Sequence, residues 1–248
     1  MVSDDGACAI IYAARLRWGP VRVRYAATLY AATDAPPREA STVRQVATPR
    51  LDGDGLAWHN GPLRATAHWR RDAPEITRRL AHGPSGDVDW TCHMPRARAR
   101  AQLSDTELEG LGYVESLRLT VPPWQLPFRA LRWGRHLSTE HSLVWIAWSD
   151  GDERRWVWLD GVELPAATPG DGGLTGLPGD AELRWYAPRD LRARPLLVTL
   201  HGPLPALAQR LAGPLGRFHE HKRLAPSAIV RDDHPRDHGW TVVEDVTW

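Results

Sequence analysis

Apolar and polar residues alternate with a period of two along much of the chain. In the run from Val21 to Tyr30, Val21, Val23, Tyr25, Ala27 and Leu29 fall on one face of an extended strand, with Arg22 and Arg24 on the other. The stretch from Ala9 to Trp18, closed by Gly19-Pro20, predicts its hairpin partner. Arg154–Leu159, Asp160-Gly161 and Val162–Leu164 predict a second hairpin, because Asp-Gly supplies the positive φ angles of a type I′ turn. Further strands are expected at Arg64–Trp69, Val114–Val121, Ser142–Trp148, Glu182–Tyr186, Leu196–His201 and Trp240–Trp248. Helical spacing is sparse. Asp72 with Glu75, ahead of Ile76 and Leu80, reads as a capping box, Ser104 with Glu107 repeats it, and Leu204–Leu215 predicts another short helix. This balance predicts an all-β barrel or sandwich with a few short helices. The Gly/Pro-rich segment Pro165–Gly179 is the expected boundary between an N-terminal β domain, 1–164, and a C-terminal β domain, 180–248.

The same phase puts two carboxylates on apolar faces. Glu244 shares its face with Trp240, Val242, Val246 and Trp248, and Glu115 shares its face with Leu117, Leu119 and Val121. A carboxylate among apolar side chains is costly to ionise unless it meets a partner. Held protonated in an apolar pocket, it is the acid that chemistry on an alkene or polyene needs. Paired with an arginine, it is a buried structural ion pair.

Composition narrows the alternatives. The 248 residues carry 31 Lys and Arg against 30 Asp and Glu, too even a balance for a nucleic-acid binder that works by neutralising phosphates. No run approaches the roughly 20 apolar residues of a membrane-spanning helix. Lys222 is the only lysine, so a Schiff-base mechanism has no other residue to use. The 13 tryptophans, against five tyrosines and two phenylalanines, suit either a solid core or the lining of a ligand cavity. Cys8 and Cys92 stand far apart, which supports neither a CxxC redox pair nor a thiolate zinc site. The histidines around 219–221 and 234–238 sit in polar, turn-like sequence, and no metal is expected. A GxSxG elbow, a P-loop and a GxGxxG are all absent, so no nucleotide or other cofactor is expected. The acidic start, Met1-Val2-Ser3-Asp4-Asp5-Gly6, has no basic, apolar signal pattern, and a cytoplasmic protein is expected.

Several short motifs together carry a resemblance. Ser3-Asp4-Asp5-Gly6 leading into an alternating strand, Gly110-Leu111-Gly112-Tyr113-Val114-Glu115, and Trp133-Gly134-Arg135 before Leu143-Val144-Trp145 resemble the superfamily of carotenoid 1,2-hydratases (hydroxyneurosporene synthases) and AttH-like lipocalin-type proteins. The resemblance implies two consecutive lipocalin-like barrels or half-barrels around an apolar cavity. It also implies hydratase, isomerase or cyclase activity in natural-product pathways. The chain departs from the pattern in two places. Met1 stands where relatives have a Trp-Trp-Tyr element, and the hydratases' Asp-His-Asn-Trp-Gly after the Gly-Tyr element is here Val114-Glu115-Ser116-Leu117-Arg118. Glu115 takes the acidic position while the His and Asn are gone, which speaks against carotenoid hydration in particular. The chain length suits a substrate smaller than a C40 polyene.

Three readings follow. In the first, a Trp-rich cavity binds a small, mostly apolar, terpenoid or polyketide-like molecule. Glu115 and Glu244 are the candidate catalytic residues for cofactor-free hydration, isomerisation or cyclisation. Tyr113, Trp124, Trp133, Arg135, His136 and Trp145 are the candidate substrate-binding residues, and Tyr113, Arg135 or His136 stabilises charge developing on the substrate. In the second, the same cavity belongs to a non-catalytic carrier and both glutamates are ion-pair members. In the third, an exposed Trp124 in Val121-Pro122-Pro123-Trp124-Gln125-Leu126-Pro127 docks a protein partner.

Overall fold

The computed structural model describes residues 1–18, 21–196 and 216–248. The expected helix at Leu204–Leu215, and the expected strand at Leu196–His201 beyond its first residue, lie outside the described residues. The rest is nearly all strand. The order is β1 (Cys8–Trp18), β2 (Val21–Ala31), β3 (Arg38–Thr42), β4 (Arg50–Asp52), β5 (Gly55–Asn60), β6 (Ala65–Arg71), β7 (Ile76–Gly83), β8 (Gly86–Leu103) and β9 (Thr106–Leu119). A connecting segment with a 3₁₀ turn at Pro123–Gln125 then leads to β10 (Ala130–Ser138), β11 (Ser142–Ser149), β12 (Arg154–Leu159), β13 (Val162–Glu163), β14 (Thr168–Pro169) and β15 (Gly173–Leu177). The chain closes with β16 (Ala181–Trp185), β17 (Arg189–Pro195), β18 (His219–Arg231) and β19 (His234–Thr247).

The strands form three antiparallel sheets. One is β1-β2-β3, and a second has the order β4-β5-β6-β8-β7 with β9 on the other edge of β8. The third runs β13-β12-β11-β10-β19-β18-β16-β15-β14, with β17 also paired to β18. Val2 joins the first two by exchanging backbone hydrogen bonds with Leu111 of β9, at 2.8 and 3.0 Å. The architecture is all-β and lipocalin-like, with a sheet curled into a half-barrel. The change from one sheet system to the next falls in the connecting segment 120–129. The stretch Pro165–Gly179 carries β14 and β15, which are hydrogen-bonded into the third sheet.

The hairpins read from alternation form as expected. Trp18 is in register with Val21 at the end of the β1–β2 pair, and Asp160 and Gly161 adopt φ of 50° and 84° between β12 and β13. Two expected helices are strands instead. Ile76 and Leu80 belong to β7, which folds back on β8, and the acids that mimicked a capping box serve across strands. Asp72 pairs with Arg96 at 3.4 Å and Glu75 with His93 at 2.9 Å. Ser104, at φ 52°, and Asp105 are the two-residue turn that joins β8 to β9.

The two faces of the third sheet bury different things. On one face, Leu143, Trp145, Leu183, Trp185 and Val243 form the core of the C-terminal half, and the Trp145 and Trp185 rings stack at 5.8 Å. Trp145 lies against the bare Cα of Gly134, where an added Cβ would stand 2.0 Å from the indole. On the other face, Trp133, Ile146, Trp148 and Trp158 pack against Ile76, Leu80 and Trp90 of the second sheet. Trp90, fully buried, stacks on Trp158 at 5.0 Å and meets Trp133 edge-on at 6.0 Å. Each such aromatic pair adds about 0.5–1.5 kcal/mol beyond the area it buries. This tryptophan layer fixes the second sheet on the third. Beside it, β1 and β2 pack on β18 and β19 through Cys8, Leu29, Leu224 and Val242.

Candidate functional site

One group of interior polar side chains gathers where β9, β10, β18 and β19 face β1. Glu115 pairs across β8–β9 with Cys92, which sets its side chain on the inner face beside Tyr113, two residues earlier. Three donors meet its carboxylate. The Trp90 indole N–H donates to Oε2 at 2.6 Å, the Tyr113 hydroxyl donates to the same oxygen, and Arg135 Nη2 faces Oε1 at 3.5 Å. The Arg135 guanidinium lies over the Tyr113 ring, with Cζ 4.1 Å from the centroid, so a cation–π contact and an ion pair hold the same side chain. About a quarter of the Glu115 side chain remains accessible.

Electrostatics set the character of this group. Burial, then the neighbouring Cys92 and Glu115, pushes the Tyr113 hydroxyl well above its usual range, so at neutral pH it is a donor. Burial, then Glu115, does the same to the Cys92 thiol, which leaves little thiolate for nucleophilic work. Burial alone would disfavour the charge on Arg135, but Glu115, Tyr113 and Glu244 outweigh it and raise its pKa. A carboxylate offers about four acceptor positions. Three are taken, and Oε1 with its one long contact retains room for a further proton.

Glu244 stands one strand over, opposite Trp133 in the β10–β19 register and opposite Lys222 in β18–β19. Lys222, the only lysine, is almost wholly buried and donates to Glu244, with Glu220 at 3.2 Å on its other side. Glu220 accepts in turn from Arg192, and Arg192 pairs with Glu39 at 3.0 Å. Tyr12 of β1 covers this chain of alternating charge, with Arg192 Cζ 5.4 Å and Lys222 Nζ 5.5 Å from its ring centroid.

Of the residues singled out in the sequence, Tyr113, Glu115, Trp133, Arg135 and Glu244 come together on this inner face. His136 and Trp145 do not, since both point to the opposite side of the third sheet. His136 is fully buried, with Nδ1 2.8 Å from the Ser227 hydroxyl and Nε2 3.5 Å from Asp237. Trp124 sits half-buried in the 3₁₀ turn. The surroundings expected for Glu115 are corrected in one respect. Leu117 and Leu119, which follow it in phase, are 42% and 36% exposed, and its carboxylate meets donors rather than aliphatic side chains. Sequence reading missed Trp90, Tyr12, Glu220 and Arg192. Alternation through Val88, Trp90 and Cys92 carried the signal for Trp90, whereas nothing local marks Tyr12 or Arg192.

No family model and no curated protein sequence matches the chain. Solved structures do. CghA crystallised with Sch210972 superposes with a TM-score of 0.54 at 13% identity, over 99% of this chain and 86% of that one. A Nitrosomonas europaea protein provisionally assigned as an AttH superposes with a TM-score of 0.56 at 10% identity, over 99% and 88%. The chain has the AttH- and CghA-like fold. At these identities the likeness speaks for architecture, and it runs the length of the chain. Among the described residues of this AttH-like fold, no helix is long and apolar enough to cross a membrane.

Proposed function

We propose that this chain is a cofactor-independent enzyme that holds a small, mostly apolar molecule between its sheets and moves a proton on it. The observation that carries this is the partly accessible Glu115 carboxylate, held by Trp90, Tyr113 and Arg135 with an acceptor position left over. Such a carboxylate takes a proton from carbon or water and returns it elsewhere on the substrate, which is the common step of isomerisation, hydration and proton-assisted cyclisation. Tyr113 and Trp90 keep the carboxylate oriented. Arg135 offsets negative charge that grows on the substrate. The stacked tryptophans supply an apolar wall that fixes a reactive conformer. The fold shared with CghA, a protein crystallised with Sch210972, agrees with a bound organic ligand. The absent His and Asn after Tyr113 keep carotenoid hydration outside the proposal.

A second reading, a non-catalytic carrier, is favoured by one observation: each candidate carboxylate already has a cation, Arg135 for Glu115 and Lys222 for Glu244. One experiment separates them. The protein is incubated with trans-β-ionone in D2O, and deuterium uptake next to the conjugated double bond is followed by mass spectrometry. Enzyme-dependent uptake that falls by about 10²-fold or more in Glu115→Gln supports the catalytic reading. Uptake unchanged in that variant removes Glu115 from the chemistry. Tryptophan quenching by the ligand with no uptake at all selects the carrier.

A further inference from the structure

The buried polar atoms of the molecule are lopsided. Among the described residues, the buried side-chain nitrogens and oxygens with no hydrogen-bond partner are ring and guanidinium nitrogens and the Tyr12 hydroxyl; no carboxylate oxygen is among them. Three of these orphans belong to the site. Arg135 Nε and the Trp133 indole N–H lie on one face of β10, two residues apart, and Trp133 is the cross-strand neighbour of Glu244. The third is the Tyr12 hydroxyl, whose ring lies 5.5 Å from Lys222 Nζ, and Lys222 donates to Glu244, the residue opposite Trp133. The neighbouring carboxylates do not reach these donors and hold other partners. Glu115 takes Trp90, Tyr113 and Arg135 Nη2, while Glu244 and Glu220 take Lys222 and Arg192.

A buried donor left unmade costs about 1–3 kcal/mol, and native proteins rarely tolerate several in one place unless something else completes them. We infer that the missing acceptor is brought by the ligand: the site takes an apolar molecule carrying an acceptor-only oxygen, a ketone, lactone or ester, in preference to a hydrocarbon of the same shape. An alcohol is a poorer match, because turning its oxygen to these donors leaves its own O–H only the open position on Glu115 Oε1 to reach. The inference rests on the reading of this interior as a ligand site, and it adds the polar half of the substrate. It also gives Trp133 and Tyr12 the role of selecting the substrate rather than reacting with it.

The test uses three probes of one size: 4-phenyl-3-buten-2-one, its alcohol 4-phenyl-3-buten-2-ol, and the hydrocarbon trans-1-phenyl-1-butene. Affinities are read by quenching of tryptophan fluorescence in the full chain. The ketone is expected to bind about tenfold or more tighter than the hydrocarbon, with the alcohol between them. In Trp133→Phe and Tyr12→Phe, which delete one donor each and keep an aromatic ring, the ratio of ketone to hydrocarbon affinity should fall severalfold. The melting temperature should hold in Tyr12→Phe, because no intramolecular hydrogen bond is lost, and should fall modestly in Trp133→Phe, whose smaller ring leaves space beside Trp90. Hydrocarbon and ketone binding equally well to the wild-type chain overturns the inference while leaving the ligand site intact. So does a ratio unmoved in both variants. A melting temperature that drops sharply in Tyr12→Phe marks that donor as structural and overturns it too. Binding of none of the three removes the ligand site itself.

Discussion

Lys222 donates to Glu244 across the β18–β19 pair, almost wholly out of water, with Glu220 against its other side. A buried ammonium between two carboxylates is costly to dismantle from one end. Lys222→Met is expected to lose about 3–5 kcal/mol in urea denaturation, because Glu244 stays behind without its cation and Glu220 keeps only Arg192. A double change to Lys222→Met with Glu244→Gln should recover part of that loss. If the single variant unfolds at the wild-type urea concentration, the ion pair contributes nothing.

The same pair sets the alkaline limit of stability. Burial alone would lower the Lys222 pKa, but Glu244, Tyr12 and Glu220 outweigh it and raise it well above the usual lysine range. A raised folded-state pKa means the stabilisation is whole below about pH 10, the unfolded value, and is lost as pH climbs toward the folded one. The acid side mirrors it. Burial pushes Asp237 up, but the nearby His136 ring and the hydrogen bond from Ser138 bring it below the usual carboxylate range, and Lys222 and Arg192 likewise outweigh burial at Glu220. Their contribution is present above about pH 4 and fades as pH falls further. Melting curves across pH should therefore decline at both ends, with the alkaline decline starting near pH 10 in the wild type and flattened in Lys222→Met.

Trp90 combines two jobs in one side chain, and Trp90→Phe separates them. The phenyl ring keeps most of the stacking on Trp158 but removes the N–H that reaches Glu115. Deuterium uptake from β-ionone should drop about tenfold, the worth of a hydrogen bond to a charged group, while ligand quenching by the remaining tryptophans changes little. Uptake at the wild-type rate would show that the indole positions nothing.

Arg135→Lys keeps the charge and discards the plane. A lysine ammonium cannot lie flat on Tyr113 while reaching Glu115, as the guanidinium does at 4.1 Å from the ring and 3.5 Å from Oε1. The expected result is a severalfold fall in turnover and a ketone affinity closer to that of the hydrocarbon. Full retention of both would mean that charge alone is required there.

Much of the scaffold was legible in the chain because one face of most strands is buried, which writes a period of two into the sequence; in β6, Ala65, Ala67 and Trp69 are buried while His68 and Arg70 are exposed. The failures have a physical pattern. Asp72 and Glu75 satisfy a helix-capping rule that looks only three residues ahead, yet their partners Arg96 and His93 lie on β8, some 20 positions on, and strand pairing prevailed over the local signal. The site was legible in part. Strand phase turned Glu115 and Glu244 inward, and the single lysine stood out by composition alone. What no local pattern conveys is the meeting of β1, β9 and β18, so Tyr12, Arg192 and the network around Lys222 emerge only with the three-dimensional arrangement.

Gly134 and Trp145 form a lock whose two parts lie eleven positions apart on neighbouring strands, the indole filling the space a methyl group would need. Drift at either position is therefore conditional on the other. A descendant with alanine at Gly134 survives only if residue 145 has first become smaller, and a descendant that loses the indole while keeping the glycine carries a void inside the C-terminal core. Among sequences of this lineage the two sites should change together, and a pairing of alanine with tryptophan should be missing.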